Sequence, residues 1–367
     1  MDTADVIVVG CGLAGLTTAL ACARRGLTVI AIDAAHRGAA SPASAGVLGP
    51  SIGRGPKGGR VGRFMFAARD RVPTFLTELH EETGVMVPTV LGALELALNE
   101  THLAELRSRA RSLPDAMLLG ADDVAALERV LVPVAGALLH PLDGAVDVEA
   151  LRAAVVAAAR RSPRITIVDG AVRSVAIGAA DASPPPPNVT LAGGGRYSAA
   201  HVVVAAGAWV ADLRGLPRPL PVRPVKGEIA VAGSQPAPRH VVFGAGGYLV
   251  PRAGSLLVGA TAEEAGFDAE PTATAAATLA NTGRSLLRHW RGDQAFSAQH
   301  TGLRPMTPDG YPILGHDPDA PALLYACGYS RNGVLIAPIA ADCVAALIVG
   351  DDRGLDVTAF TVARFGG

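Results

Sequence analysis

The 367 residues exceed one ordinary domain and half of them are hydrophobic, so two packed units are expected and global disorder is excluded. Charge is low and balanced, 32 basic against 33 acidic residues for a net −1, which argues against a nucleic-acid surface with its basic excess or stripe. A membrane span is not expected either: no run of about 18 uncharged apolar residues occurs, and the longest candidate, 333–350, is broken by Pro338 and Asp342.

From the N-terminus, Asp2 and Asp5 lead straight into Val6-Ile7-Val8-Val9, without the basic segment of a secretory signal. Cys11, Cys22, Cys327 and Cys343 are scattered and form no Cys-x-x-Cys pair, which fits a reduced, cytoplasmic chain. The histidines show no metal-ligand spacing, and no metal is expected.

Residues 5–10 read as a buried β-branched strand, 13–25 as an Ala/Leu-rich helix stopped by Gly26, and 27–33 as a second apolar strand. Ser41-Pro42 has the form of an N-cap followed by proline at the first helical position. Residues 49–62, rich in Gly, Arg and Pro, read either as a mobile basic surface loop or as a lid near a site. Helices are expected over 64–83, 101–112 and 121–130, with an alternating strand over 89–98. Asp147 caps a further helix over 148–161, and strands follow at 165–168 and 172–177. A proline-rich loop, 181–188, precedes renewed strand from 189, and a strand over 197–206 ends at Gly207. Strands at 222–231, 240–243, 248–250 and 255–260 follow without intervening helices, the mark of a second, largely antiparallel sheet. A helix over 272–290, a strand over 323–327, a glycine-bounded turn from Gly328 to Gly333 and a helix over 334–349 complete the chain.

Gly10-Cys11-Gly12-Leu13-Ala14-Gly15 falls between the first strand and the first helix. Gly10 permits the tight turn, Gly12 lets backbone approach a pyrophosphate, and Gly15 lets helix and strand pack closely. Phosphates would rest on the helix N-terminus, where free N–H groups and the macrodipole favour anions. Asp33 closes the second strand about 20 residues on, the place of a ribose-binding carboxylate. Strand, helix, strand and carboxylate in order predict a dinucleotide site, without deciding between NAD and FAD. The small residues from Ala39 to Gly46 let backbone lie against a flat ring, and a helix N-terminus at Gly333 could stabilise charge on a reduced flavin.

With these motifs, Ser44-Ala-Gly46, Asp143-Gly-Ala-Val-Asp147, Ala205-Ala-Gly-Ala-Trp209, Pro224-Val-Lys-Gly-Glu228, Tyr248-Leu-Val-Pro-Arg252 and Val258-Gly-Ala-Thr261 occur in order. Gly302-Leu-Arg-Pro-Met-Thr-Pro-Asp-Gly310 and Arg331-Asn-Gly-Val-Leu-Ile-Ala-Pro338 follow. Over nearly its whole length the chain resembles the glycine oxidase (ThiO-type) branch of the D-amino-acid oxidase flavoproteins. The last two motifs are the most specific.

The resemblance implies an α/β protein: a doubly wound, Rossmann-like FAD domain from residues 1–85, 141–218 and 301–367, and a substrate domain from 86–140 and 219–300 built on a largely antiparallel sheet flanked by helices. It implies noncovalent FAD, since Gly302 stands where related sarcosine oxidases carry the tethering cysteine. Beyond Gly10, Gly12, Gly15 and Asp33, it places Leu13, Ala14, Ala34, Ala40, Ser41, Ala45, Gly46 and Val47 at the cofactor. Val172 would contact it through its backbone, with Gly207, Gly328, Ser330, Arg331, Asn332, Gly333, Val334 and Leu335 completing the set. Arg304 matches the carboxylate-binding arginine, Tyr248 a tyrosine of the substrate pocket, and Arg331 a second substrate-side arginine.

For three residues the plainer reading stands beside the functional one. Arg304 binds a carboxylate or a structural partner, Tyr248 lines a pocket or packs in a sheet, and Lys226 lies near the flavin or is an ordinary surface or ion-paired lysine. Trp209 reads as packing, with cofactor against its backbone, and the cysteines as structural. Three departures from the family, Val47, Gly246 and Ala262, widen or depolarise the pocket and weigh against a strict preference for glycine. The implied reaction oxidises a small amino acid to its imine with oxygen as acceptor and hydrogen peroxide as product, with thiamine thiazole synthesis as an associated role. A dehydrogenase passing electrons elsewhere is the rival, and an idle FAD-binding module a weaker one. Relatives often form homo-oligomers; the residues leave assembly open.

Overall fold

The structure is a computed structural model that describes residues 2–52, 58–113, 115–177, 186–233, 236–291, 296–351 and 355–366. Its first part comprises β1 (Asp2–Val9), α1 (Leu13–Arg24), β2 (Val29–Asp33), β3 (Val47–Leu48), α2 (Gly59–Thr83), β4 (Thr89–Ala97), α3 (Glu100–Ala110), β5 (Met117–Gly120) and α4 (Ala121–Leu127). Then come β6 (Gly136–Val146), α5 (Val148–Arg161), β7 (Ile165–Asp169), β8 (Val172–Ala176), β9 (Asn188–Leu191) and β10 (Arg196–Val204). The remainder is β11 (Arg223–Ala232), β12 (Val241–Gly244), β13 (Gly247–Arg252), β14 (Ser255–Gly259), α6 (Ala273–Leu286), β15 (Ala298–Met306), β16 (Ile313–His316), β17 (Leu323–Cys327) and α7 (Gly333–Ile348).

Two sheets organise these elements. The first runs β16-β17-β10-β1-β2-β7, with the β8/β9 hairpin joined to β10. Its centre, β17-β10-β1-β2-β7, is parallel. Parallel strands are covered on both faces, which is why these segments are apolar without a break. Strand alternation divides them between two cores. Val6 and Val8 join α1, α5 and α7 on one face, while Ile7 and Val9 join Val175, Val189 and Tyr325 on the other. The small residues of α1 let it pack closely on α7, and Thr17 Oγ1 donates to Ala337 O across 320 residues.

The second sheet runs β15-β11-β14-β13-β12-β4-β6-β3, with β5 on β6, and is antiparallel throughout except where β12 meets β4. Asp147 caps α5 as expected, its carboxylate accepting from Ala150 N at 2.9 Å. The expected borders at 140/141 and 300/301 run through β6 and β15.

Several expectations need correction. Ser41-Pro42 starts no helix but lies in a turn. The prolines and glycines of 302–310 suggest a rigid loop, but the segment begins as strand: β15 carries it as far as Met306. Pro305 is tolerated there because β15 is an edge strand, which needs no N–H on its open side. Strand β6 was not expected at all. The loop-or-lid segment 49–62 lies partly in α2, and its residues 53–57 fall outside the described residues, as do 181–185 of the proline-rich loop. Among the described residues no helix is long and apolar enough to cross a membrane, and no His/Cys/Asp/Glu group could hold a metal ion.

Candidate active site

A cavity of about 1070 Å³ opens where the two sheets meet. That is just above the ~300–1,000 Å³ range of small-molecule sites. Its walls come from the β1–α1 turn, the end of β2, the segment from Ala39 to Gly49, the β7–β8 turn, residues 205–213, the β12–β13 hairpin, β15 and the β17–α7 turn.

At the β1–α1 turn the glycines are required by geometry. Gly10 has φ +107°, and a Cβ there would lie 2.5 Å from Ala205 O. A Cβ on Gly15 would collide with the carbonyl oxygen of Gly10. Gly12, Leu13 and Ala14 face the cavity, whereas Gly15 lies behind them as the helix–strand contact. Gly12 is the N-cap of α1 and has no side chain to serve it. Ser41 does that work from outside, its hydroxyl accepting from Leu13 N at 3.1 Å. The cap sought at Ser41 is thus real but belongs to α1. First-turn N–H groups have no acceptor inside a helix, so this end offers donors and positive potential to a phosphate. A narrow backbone cradle on a helix N-terminus fits the pyrophosphate of FAD.

Asp33 ends β2 at the cavity wall, with its carboxylate accepting from Ala35 N at 3.1 Å. Substituting Asp33 by alanine should remove charge-assisted bonds to ribose, each worth about 1.5–3 kcal/mol, and weaken FAD roughly tenfold or more. Turnover at saturating FAD should survive; titration of apoprotein with FAD checks this, and unchanged affinity would make Asp33 a plain strand end.

Ala34, Ala40, Ser41, Ala45, Val47, Val172 and Gly207 also line the cavity. Gly46 and Leu335 do not: Gly46, at φ +74°, is pressed against the carbonyl oxygen of Val146, and Leu335 is buried in the core. On the opposite wall Gly328, Ser330, Arg331, Asn332, Gly333 and Val334 form the turn into α7. Ser330 has φ +53°, a strained conformation for a side-chain-bearing residue, held by its N–H on Pro305 O at 3.1 Å. Asn332 caps α7 without a side-chain bond, so a second helix N-terminus points at the cavity.

At the other end stand Tyr248, Arg304 and Arg331. Arg304 Nη1 donates to Thr261 O at 2.9 Å, and no described carboxylate pairs with Arg304 or Arg331. Burial, reinforced by Arg331, holds the Arg304 guanidinium below its ordinary pKa, with Tyr248 opposing. Burial pushes the Tyr248 hydroxyl up to about 12, against the pull of Arg304 and Arg331, so it stays a protonated donor at neutral pH. Its ring lies 5.6 Å from that of Phe243.

Lys226 belongs elsewhere. Neighbours along a strand face opposite ways, and Gly227 lines the cavity while Lys226 points to the other side of the sheet. There it is 1% exposed, with Nζ 3.1 Å from Asp268 and 3.7 Å from Glu228. Burial pulls its pKa down, but Asp268, Glu228 and Glu263 outweigh that and hold it above its ordinary value. It is ion-paired, yet neither on the surface nor in the cavity. Trp209 stacks on His36 at 4.4 Å, packing as expected, while also lining the cavity.

Cys11 and Cys327 also reach the wall, and burial pushes both thiols up to about 12, so neither is a nucleophile. Glu95 and His102 line the cavity without any signal in their own sequence surroundings, and Gly227 and Thr261 do so from within motifs that assigned them no role. Glu95 is engaged by Arg109 at 2.7 and 3.0 Å; burial raises its pKa, but His140 and Arg109 prevail and leave it below the ordinary carboxylate value.

Residues 5–347 match the family described as DAO, FAD dependent oxidoreductase. Glycine oxidase of Geobacillus kaustophilus (strain HTA426) is 30% identical over 98% of this chain and 97% of that protein. The bifunctional protein ThiO/ThiG of Synechocystis sp. (strain ATCC 27184 / PCC 6803 / Kazusa) is 33% identical over 99% of this chain and 54% of its own length. The crystal structure of the Geobacillus kaustophilus glycine oxidase superposes with a TM-score of 0.90 at 29% identity, covering all of both chains. The chain therefore belongs to the DAO family and is an FAD-dependent amine oxidase.

Proposed function

We propose that the protein oxidises a small amino acid, glycine, sarcosine or a small D-amino acid, to the imine and hence the 2-oxo acid, with oxygen reduced to hydrogen peroxide. The observation that carries this reading is Arg304, a partly buried guanidinium on the cavity wall without a carboxylate partner among the described residues. A desolvated charge is costly unless a ligand compensates it, and a carboxylate matches the guanidinium fork.

In this reading FAD occupies the residues assigned above, with the domain division 1–85, 141–218 and 301–367 against 86–140 and 219–300. When bound, FAD would supply the redox chemistry, as acceptor of the two electrons that the amino acid loses and that oxygen would take up. The chain's own residues bind and orient. Arg304 grips the carboxylate, Tyr248 donates from its protonated hydroxyl, and Arg331 adds positive potential at the same end. A neutral amine needs no base from the protein. A cytoplasmic, homo-oligomeric enzyme serving thiazole synthesis is the biological setting suggested by the similarity to glycine oxidase and ThiO/ThiG.

Anaerobic mixing with glycine, sarcosine and D-alanine should bleach the flavin for at least one of them, and air should then restore the colour with one peroxide formed per substrate. Bleaching reversed only by a dye acceptor would indicate a dehydrogenase, and no bleaching at all would overturn amino-acid oxidation.

FAD should also be released intact by acid or heat. A Cβ on Gly302 would lie 2.8 Å from Ala43 Cβ and 3.3 Å from Ala40 Cα, so no cysteine fits where a tether would arise. Flavin precipitating with the denatured chain would contradict this.

A further inference from the structure

We propose that Gly227 is a positioning residue for Arg304, its missing side chain forming the shelf on which the guanidinium lies; this deepens the amino-acid reading and rests on it. In the antiparallel pair β11/β15, Gly227 stands opposite Gly302, and Arg304 stands opposite Val225. Alternate residues share a face, so Arg304 and Gly227 look to the same side and the arginine crosses diagonally onto the glycine. A Cβ on Gly227 would fall inside van der Waals contact of Cζ and both terminal nitrogens of Arg304.

The backbone does not demand glycine there. Gly227 lies in a regular strand and is absent from the positive-φ positions, so alanine is conformationally allowed. The three atoms nearest to a Cβ there all belong to the guanidinium. The pattern recurs once on the neighbouring strands, where Gly259 stands opposite Tyr248 and a Cβ would overlap the tyrosine ring. Gly259 likewise has no positive φ. Two of the polar side chains at the substrate end, Arg304 and Tyr248, are thus each laid on a bare strand position.

Because the colliding atoms at Gly227 are the free end of a flexible side chain, alanine should displace Arg304 from Thr261 O rather than break the sheet. The test is a double-mutant cycle on holoenzyme, read as the dissociation constant of glycolate from the perturbation of flavin absorbance. Glycolate keeps the carboxylate of glycine and replaces the amine by a hydroxyl. Gly227→Ala should weaken glycolate at least about tenfold with FAD content unchanged. In an Arg304→Ala background the same change should alter binding less than about twofold. Equal losses in both backgrounds, or no loss in the first, would overturn the proposal. Should Gly227→Ala lower FAD content, the double variant should regain it, since the clashing group is gone; a loss that persists there would also overturn it. A wild type binding glycolate no better than Arg304→Ala would sink the carboxylate reading itself, and with it this role for Gly227.

Discussion

Arg304→Ala is expected to lower kcat/KM for an amino acid by about 10²-fold or more while leaving FAD occupancy close to wild type. Each hydrogen bond to a charged group contributes about 1.5–3 kcal/mol, and a bidentate grip makes two. The side chain bonds only Thr261 O among the described residues, so its removal unpicks little of the fold. The decarboxylated amine should be a poor substrate for wild type and lose little further in the variant. Steady-state kinetics on the amino acid and its amine, with both proteins, measures the difference. Equal losses on the two compounds would mean that Arg304 supports the fold or the flavin, and the assignment would lose its main residue-level support.

The second large effect is expected at Gly15. A Cβ there overlaps the Gly10 carbonyl oxygen, a backbone atom held in turn by the Gly10 N–H on Ile32 O at 2.8 Å, with Val8 Cγ1 only 3.3 Å away. Overpacking ordinarily costs about 1–3 kcal/mol, and a backbone neighbour that cannot rotate aside puts Gly15→Ala at or beyond the upper end. The variant should be isolated largely without FAD and with a lowered melting temperature. Gly193→Ala, where a Cβ would meet nothing within 4 Å, serves as the control. Equal flavin content and melting temperature in the two variants would refute the argument.

The cofactor half of the molecule was the more legible because its determinants are local. Strand, glycine turn, helix and Asp33 lie within one stretch of chain, and uninterrupted apolar runs announce strands buried on both faces. Where the reading failed, long-range context had overruled local signs. Strand β6 contains His140-Pro-Leu-Asp-Gly144, which looks like a turn. Its pairing with β4 jumps from Gly144 to His140 at Gly92, so Pro141, Leu142 and Asp143 have no ladder partner there and the missing proline N–H costs nothing. Ser41-Pro42 carries a helix-start pattern because its hydroxyl does cap a helix, one that lies 28 residues back in sequence.

The substrate end was half legible. Arg304, Tyr248 and Arg331 were found because they sit in recognisable motifs. The shelves beneath Arg304 and Tyr248 were not, for Gly227 acquires its meaning only when β15 is laid beside β11. The face on which Lys226 lies is likewise a property of the assembled sheet.

The contact between Thr17 and Ala337 has a consequence for how the protein comes into being. The nucleotide-binding unit opens with β1 and α1, yet Ala337 of α7, the helix that completes it, lies 320 residues beyond Thr17. At about 5–20 residues per second, α1 waits roughly tens of seconds for its packing partner. During that interval the face of α1 that packs on α7 has no native cover, and the wall formed by the β17–α7 turn does not exist. Such distant pairings make folding slow, because a long loop must close before the contact rewards it. The cavity is therefore expected to be walled on all sides only after α7 has arrived, well after the glycine turn is made.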